Sequence, residues 1–395
     1  MKKKLLFVNP TLHFGGAEKS LQTLLCHLDP QRYDIDLFLF RPEGELLDLL
    51  PEYVHVLPLP WTTQTFYLPL PQSCAAFLRR GRVRLAVSRA LFTRAVREWL
   101  PYRVVEQRGW RYQSRTFKRL PQEYDAAIAY LEGSPIWFCA DKVRAKRKIA
   151  YIHNDYRKLL SDASFDEPYL AQFDNLVTVS DACADVLRET FPALSERVCV
   201  IENLISPDSL QKAAEVGEGF DDGYTGKRLL TLGRLDVQKG YDMAIDACAA
   251  LAEQFDFRWY VLGEGPQRAE LEEKIRDLRL QDRFILLGTR LNPYPFLASC
   301  DLYIQPSRFE GKSIAIEEAK ALRRPIVTTA FSTVADQITD GVNGSVAQID
   351  AQSIAEKIAE LLCDAQKREA YSRALEQYTG NMQELAKFES MLTDG

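Results

Sequence analysis

The sequence predicts an α/β protein made of two doubly wound, parallel-sheet domains, and three observations carry that prediction. The first is length: 395 residues is more than one domain of about 100–200 residues. The second is alternation, because short β-rich apolar runs are separated throughout by helical stripes. That order calls for parallel strands covered on both faces. The third is a turn-rich stretch at 206–227, with Pro207, Gly217, Gly219 and Asp221-Asp222-Gly223, which has the composition of a connection. We expect domains at 1–205 and 206–379.

The strand candidates of the first half are 4–9, 35–40, 55–59, 126–131, 148–153, 176–180 and 198–202. Those of the second half are 229–233, 259–263, 284–288, 302–305, 325–328 and 345–347. Between them lie stripes such as Leu21, Leu24, Leu25 and Leu28, at the helical spacings of three and four. From Ser353 onward the pattern is helical, with Gly380 as the expected break.

Composition narrows the class. With 46% hydrophobic and 27% charged residues, disorder, collagen and coiled coil are excluded. No uncharged apolar run reaches the roughly 18 residues of a membrane span. After Met1-Lys2-Lys3-Lys4 the apolar run 5–8 is too short for a secretory signal, so it reads as a buried first strand and the expected location is cytoplasmic. The eight cysteines are scattered without a Cys-x-x-Cys pair, and the four histidines form no His-x-x-x-His. No metal site is expected, and the cysteines read as small buried hydrophobes.

The net charge of −5 conceals an asymmetry. Residues 1–200 carry 28 Lys and Arg against 23 Asp and Glu, leaving 22 against 32 for the rest. Between Arg79 and Arg119 there are 13 basic residues opposed only by Glu98 and Glu106. There Leu85, Ser88, Phe92, Ala95 and Trp99 fall near one helical face. Such a basic amphipathic helix suits an anionic bilayer surface, against the plainer reading of a salt-bridged face. No nucleic-acid module surrounds it.

Four turns could carry chemistry. Gly15-Gly16 follows the first strand and opens a helix, where bare backbone amides can approach an anion. Alone, the pair is equally a tight turn. Gly233-Arg234 with Lys239-Gly240 follows the first strand of the second half, offering a planar fork and a point charge for phosphate. The third, Pro306-Ser307-Arg308-Phe309-Glu310-Gly311-Lys312-Ser313, runs into a helix holding Glu317 and Glu318. Glu310 can take sugar hydroxyls and Glu318 a ribose diol, with the helix-start residues Gly311, Lys312 and Ser313 on the donor. Gly-Lys-Ser here is no Walker A, whose first glycine would fall at Pro306. The fourth, His153, ends a strand. Asp34-Ile-Asp36 leads into a strand and reads as a solvated edge.

Glu310 and Glu318, with seven residues between them, resemble the Glu-x7-Glu motif of the family 4 retaining GT-B glycosyltransferases. The Gly15-Gly16, Val179-Ser180, Ile201-Glu-Asn203, Gly233-Arg234, Lys239-Gly240, Gly263-Glu-Gly-Pro266 and Asp340-Gly-Val-Asn-Gly344 elements fall in that family's order. The resemblance spans nearly the whole chain and is weakest across 60–125. It implies a GT-B fold: two Rossmann-like domains facing a deep cleft, with a C-terminal helix at about 380–395 packing back toward the first.

It implies further that Arg234 and Lys239 neutralise the donor diphosphate and that Glu318 binds ribose. Glu310 would face the transferred sugar, His153 would hydrogen-bond that sugar or orient the acceptor, and Gly16 would bring its amide to the phosphates. Transfer would be metal-independent and retaining, from a nucleotide-sugar to a glycan acceptor. No cofactor is implied. Uridine is the base the family uses most, and GDP-linked donors stay open. The first domain and its basic segment suggest a lipid-linked acceptor in surface-polysaccharide synthesis, reached peripherally on the inner face of the plasma membrane. A GT-B nucleotide-sugar 2-epimerase and a non-catalytic nucleotide-sugar-binding protein are the alternatives. A nicotinamide dehydrogenase is disfavoured because Arg268 stands where a third glycine belongs.

Overall fold

Each apolar run becomes a parallel strand in the computed structural model, which describes residues 2–13, 15–97 and 100–392. The described residues divide into unit 1 (2–13, 17–201 and 385–392) and unit 2 (15, 16 and 202–384). Residues 202–205 and 380–384 thus group with unit 2.

Unit 1 opens with β1 (Lys3–Asn9), α1 (Gly16–His27), β2 (Tyr33–Leu39) and β3 (Val54–Val56). Four helices follow: α2 (Trp61–Tyr67), α3 (Leu70–Arg79), α4 (Val83–Ala95) and α5 (Tyr102–Gln113). Then come β4 (Glu123–Ala129), α6 (Ser134–Lys142), β5 (Arg144–Ile152), α7 (Ala163–Leu170), β6 (Asn175–Thr178), α8 (Asp181–Thr190) and β7 (Val198–Val200). Among the described residues the sheet has seven strands in the order β3-β2-β1-β4-β5-β6-β7. Leu5, Leu6, Phe7 and Val8 are fully buried, as a central strand covered on both faces must be.

Unit 2 contains α9 (Pro207–Ala214), β8 (Lys227–Leu232), α10 (Tyr241–Leu251), β9 (Phe257–Leu262), α11 (Arg268–Asp277), β10 (Phe284–Gly288) and α12 (Tyr294–Ser299). It continues with β11 (Leu302–Gln305), α13 (Ile314–Ala321), β12 (Ile326–Thr329), β13 (Ser345–Ala347), α14 (Ala351–Cys363) and α15 (Ala365–Ala374). The sheet order is β10-β9-β8-β11-β12-β13. Gly380 takes φ +73° and breaks the helical tail as expected, while Asp364 breaks it earlier by capping α15. The last helix, α16 (Glu384–Met391), returns to unit 1. Phe388 stands 6.1 Å from Phe7, and Arg32 bonds both oxygens of Glu389 at 2.9 Å.

Strand order reverses between β1 and β4 in one sheet and between β8 and β11 in the other. Open α/β sheets bind ligands beyond the carboxyl ends of strands at such points. The turns after β1, β8 and β11 therefore stand where ligand chemistry is expected. No helix among the described residues is long and apolar enough to cross a membrane.

Two readings need correction. Asp36 is buried rather than solvated, because Tyr124 donates to it at 2.8 Å and Lys4 lies 3.5 Å away. The basic helix also faces the other way. Leu85 and Phe92 of α4 pack with Ala86 on Phe66 and Phe77, and Ser88 accepts from Arg115 at 3.0 Å. Glu98 and Trp99 lie outside the described residues. Exposed instead are Val83, Val87 and Leu91, four residues apart, with Leu78 of α3. Periodicity revealed a face but not what covers it: α2 and α3 fill that side.

Candidate functional site

The turn after β8 is built from glycines and one aspartate. Gly233 (φ +156°) and Gly240 (φ +67°) adopt backbone that side chains rarely allow, and a Cβ on Gly240 would collide with the Pro306 carbonyl. Gly263 is likewise required, because its Cβ would meet the Gly233 carbonyl. Between the two turn glycines, Asp236 accepts the Lys239 amide at 3.3 Å. Burial raises Asp236, while Lys239 and Arg234 pull it back.

The turn after β11 is stitched to this one. Arg308 donates its amide to the Gln238 carbonyl at 2.7 Å and pairs with both oxygens of Asp242 at 2.8 and 2.7 Å. Gln238 donates to the Phe309 carbonyl at 2.9 Å. The stitching carries Lys239 to Glu310, with Nζ 2.6 Å from Oε1. The same oxygen accepts from Ser307 at 2.6 Å and Gln305 at 3.1 Å, and Gln238 approaches Oε2 at 3.4 Å. Glu310 is only 5% exposed, so it needs this set of donors.

Glu318 is buried on α13 and accepts from Tyr294 at 2.9 Å. Burial, then Glu318, raises the Tyr294 phenol well above its ordinary value. Tyr303, hydrogen-bonded to Gln305, is also raised, by burial first and then by Tyr241, Glu318 and Glu310. The neighbouring Glu317 turns elsewhere, to Lys320, Gln337 and Tyr378.

The remaining sequence candidates divide. Arg234 is exposed, with Asp236 3.9 Å away. Gly15 and Gly16 group with unit 2, and a Cβ on Gly16 would touch Ile314 at 3.8 Å. The Lys312 side chain is 6% exposed and paired with Glu202 at 2.5 Å. Ser313 caps α13 through Ile316, while its amide donates to Gln337 at 2.8 Å. These two side chains are thus engaged inside unit 2. His153 belongs to unit 1, one residue beyond β5. Burial lowers its pKa, and Glu132 and a hydrogen bond to the Tyr130 backbone oppose that.

Sequence reasoning missed Gln238, Gln305, Tyr294 and Glu132. A glutamine closing an apolar strand beside Pro-Ser was a usable signal for Gln305. Nothing local marks Tyr294, which arrives from another turn.

An exposed arginine, a lysine on a buried carboxylate and a second buried carboxylate at a strand-order reversal suit an anionic, hydroxyl-rich ligand. Residues 226–364 match the family model described as Glycosyl transferases group 1. That stretch lies within unit 2. The chain is 28% identical over 226 residues to the N-acetylgalactosamine-N,N'-diacetylbacillosaminyl-diphospho-undecaprenol 4-alpha-N-acetylgalactosaminyltransferase of Campylobacter jejuni, covering 56% of this chain and 60% of that one. It is 30% identical over 205 residues to the alpha-D-kanosaminyltransferase of Streptomyces kanamyceticus, covering 49% and 52%. The matches span between about half and three fifths of these two curated relatives. Anabaena HepE in complex with UDP-glucose superposes with a TM-score of 0.69 at 18% identity, covering 99% of this chain and all of that one. That likeness shows the fold, two Rossmann-like parallel-sheet domains of GT-B type. The family match and the relatives support a glycosyltransferase.

Proposed function

We propose that the protein is a retaining, metal-independent glycosyltransferase. It moves a hexose or N-acetylhexosamine from a UDP-sugar to a lipid-linked glycan acceptor in surface-polysaccharide synthesis. The observation that carries this reading is the Lys239–Glu310 pair, held by two stitched turns where strand order reverses. The relative from Campylobacter jejuni is named for a diphospho-undecaprenol substrate, and HepE binds UDP-glucose; both support the donor and acceptor class.

In this reading Arg234 and Lys239 neutralise the charge that develops on the departing diphosphate, a preorganised electrostatic contribution. The amides of Gly15 and Gly16 and the turns at Gly233 and Gly311 serve the same phosphates. Glu318 takes the ribose diol and Glu310 the transferred sugar. Lys312 and Ser313 shape the start of α13 through Glu202 and Gln337. His153 hydrogen-bonds a sugar hydroxyl. The bond from the anomeric carbon to the phosphate oxygen breaks, the acceptor oxygen bonds to the same face, and its proton passes to the departing phosphate. Configuration is retained.

The exposed Leu78, Val83, Val87 and Leu91, with the exposed Arg79, Arg80, Arg82, Arg84, Arg94 and Arg97, are assigned to an anionic bilayer surface on the cytoplasmic side. There each cation adds about 1 kcal/mol.

The test is incubation with a panel of UDP- and GDP-sugars, following slow release of free nucleotide by wild type and Glu310→Ala. Release by wild type alone supports the reading. Release of 2-epimerised sugar nucleotide would favour the epimerase, and neither binding nor turnover with any donor would end the transferase reading.

A further inference from the structure

In unit 1 a buried ionic cluster of Glu132, Arg103 and Glu106 adjoins His153 and has no role in the reading above. Ala129 of β4 pairs with Ala150 of β5, and three residues beyond each stand Glu132 and His153. The Glu132 carboxylate is 3% exposed and collects three donors. Its Oε2 accepts the His153 amide at 3.1 Å; its Oε1 accepts Asn154 Nδ2 at 3.0 Å and Arg103 Nη2 at 3.1 Å. Arg103 comes from α5, within the basic stretch, yet it is turned inward. Its Nη1 donates to the Glu132 carbonyl at 3.1 Å and to Glu106 at 2.8 Å. Glu106 in turn accepts the Ser134 amide at 3.1 Å. Gly133, at φ +90°, leaves the room this needs, since a Cβ there would stand 2.5 Å from Arg103 Nη1.

The imidazole of His153 lies beside the stacked rings of Tyr130 (5.1 Å) and Tyr151 (5.5 Å, 19° between planes), which are 4.5 Å from each other. One ring nitrogen serves the Tyr130 backbone, and Nε2 is buried with no hydrogen-bond partner among the described residues. With Nδ1–H given to a carbonyl, neutral Nε2 is an acceptor for a hydroxyl.

We propose that Arg103 and Glu132 are positioning residues for His153: Glu132 fixes the backbone beneath the ring and sets a negative charge beside it, and Arg103 fixes Glu132. Both carboxylate oxygens are used as acceptors, which a glutamine with its single oxygen could not match, and a buried carboxylate is costly unless paired. Its negative charge, set on the His153 amide, also holds the imidazole's proton affinity up against burial. Burial pushes Glu132 upward, and Arg103, His153 and Asn154 bring it below the ordinary carboxylate value. The charged groups near the ring are Glu132 on the turn after β4, with Arg103 and Glu106 of α5 behind it. Tyr130 is kept neutral by burial, and Tyr151 stacks on it beside the imidazole. The proposal rests on the reading that His153 serves the transfer reaction.

The protein has only four histidines, so an NMR pH titration of histidine-labelled full chain resolves each imidazole, with His153→Gln giving the assignment. Glu132→Gln is expected to move the His153 midpoint down by about 1 pH unit and leave His13, His27 and His55 in place. The acid limb of the kcat/KM profile for nucleotide release should follow it. An unmoved midpoint overturns the proposal. Should Glu132→Gln not fold, Arg103→Lys keeps the charge but cannot bridge the carboxylate and the carbonyl together. It is expected to lower kcat at least tenfold with donor KM unchanged, and unchanged kcat overturns the proposal. A shifted midpoint in a protein that turns over no sugar nucleotide supports the pair while removing the transferase reading. Turnover with an unshifted midpoint does the reverse.

Discussion

Replacing Lys239 by methionine should strand the Glu310 carboxylate, and the size of the effect follows from what surrounds it. Glu310 is 5% exposed, and the Lys239 side chain 18%. Removing one partner of a fully buried pair costs about 3–5 kcal/mol. Here Ser307, Gln305 and Gln238 remain as neutral donors, and water reaches the lysine end. We therefore expect Lys239→Met to cost about 2 kcal/mol, below that range. In Glu310→Gln the same substitution should cost under about 1 kcal/mol, giving a coupling energy of about 1–2 kcal/mol. Urea unfolding of the four proteins, followed by circular dichroism, measures the cycle. Function should separate from stability. The double variant recovers stability, but nucleotide release stays down by at least about 10²–10³, because it lacks both the Lys239 contact to a developing anion and the Glu310 carboxylate. A cost for Lys239→Met within about 0.5 kcal/mol of zero, or simple additivity, would refute the description of the pair as desolvated and coupled.

Three further outcomes are expected. Gly240→Ala should destabilise by at least about 1–2 kcal/mol, the left-handed backbone penalty, with a collision against the Pro306 carbonyl added; an unchanged urea midpoint would contradict the φ of +67°. Replacing Val83, Val87 and Leu91 together by serine should change stability by under about 0.5 kcal/mol per site yet lower sedimentation with anionic liposomes, and equal recovery of both proteins with the vesicles argues against the docking face. His153 is lowered by burial, with Glu132 opposing. The unfolded chain therefore takes up a proton near pH 6.5 that the folded chain still refuses. Its contribution is full above about pH 6.5 and is lost as pH falls toward the folded value, so wild type should lose more stability than His153→Gln between pH 7.5 and 5. Parallel curves would show that His153 is not held neutral.

The fold was legible because parallel strands covered on both faces leave a local signature. Runs such as Leu5–Val8 need no partner to be recognised, and every predicted strand is present within a few residues. The turns were legible for a related reason: Gly233, Gly240 and Gly263 are dictated by close backbone approach. What each charged side chain does was less accessible. Lys239 and Lys312 are both lysines beside glycine on βα turns, yet one reaches Glu310 and the other Glu202. The difference depends on which distant segment folds back. The α4 face failed for the same reason, since its periodicity is equally good for a covered and an open stripe.

Charge counting illustrates the limit most sharply. The excess between 79 and 119 is one number, but the fold spends its cations differently. Arg79, Arg80, Arg82, Arg84, Arg94 and Arg97 are exposed around the apolar stripe, where they can act on a surface only through long-range attraction, weakened by salt. Arg89 lies over Phe66 and Phe92 at 5.4 and 5.7 Å, and Arg103 is committed to Glu106 and Glu132. These two kinds of arginine should behave independently. Neutralising the exposed set should abolish any salt-sensitive vesicle binding and leave the His153 titration untouched, because no exposed charge of α4 stands among the groups that act on the ring. Substituting Arg103 should do the opposite.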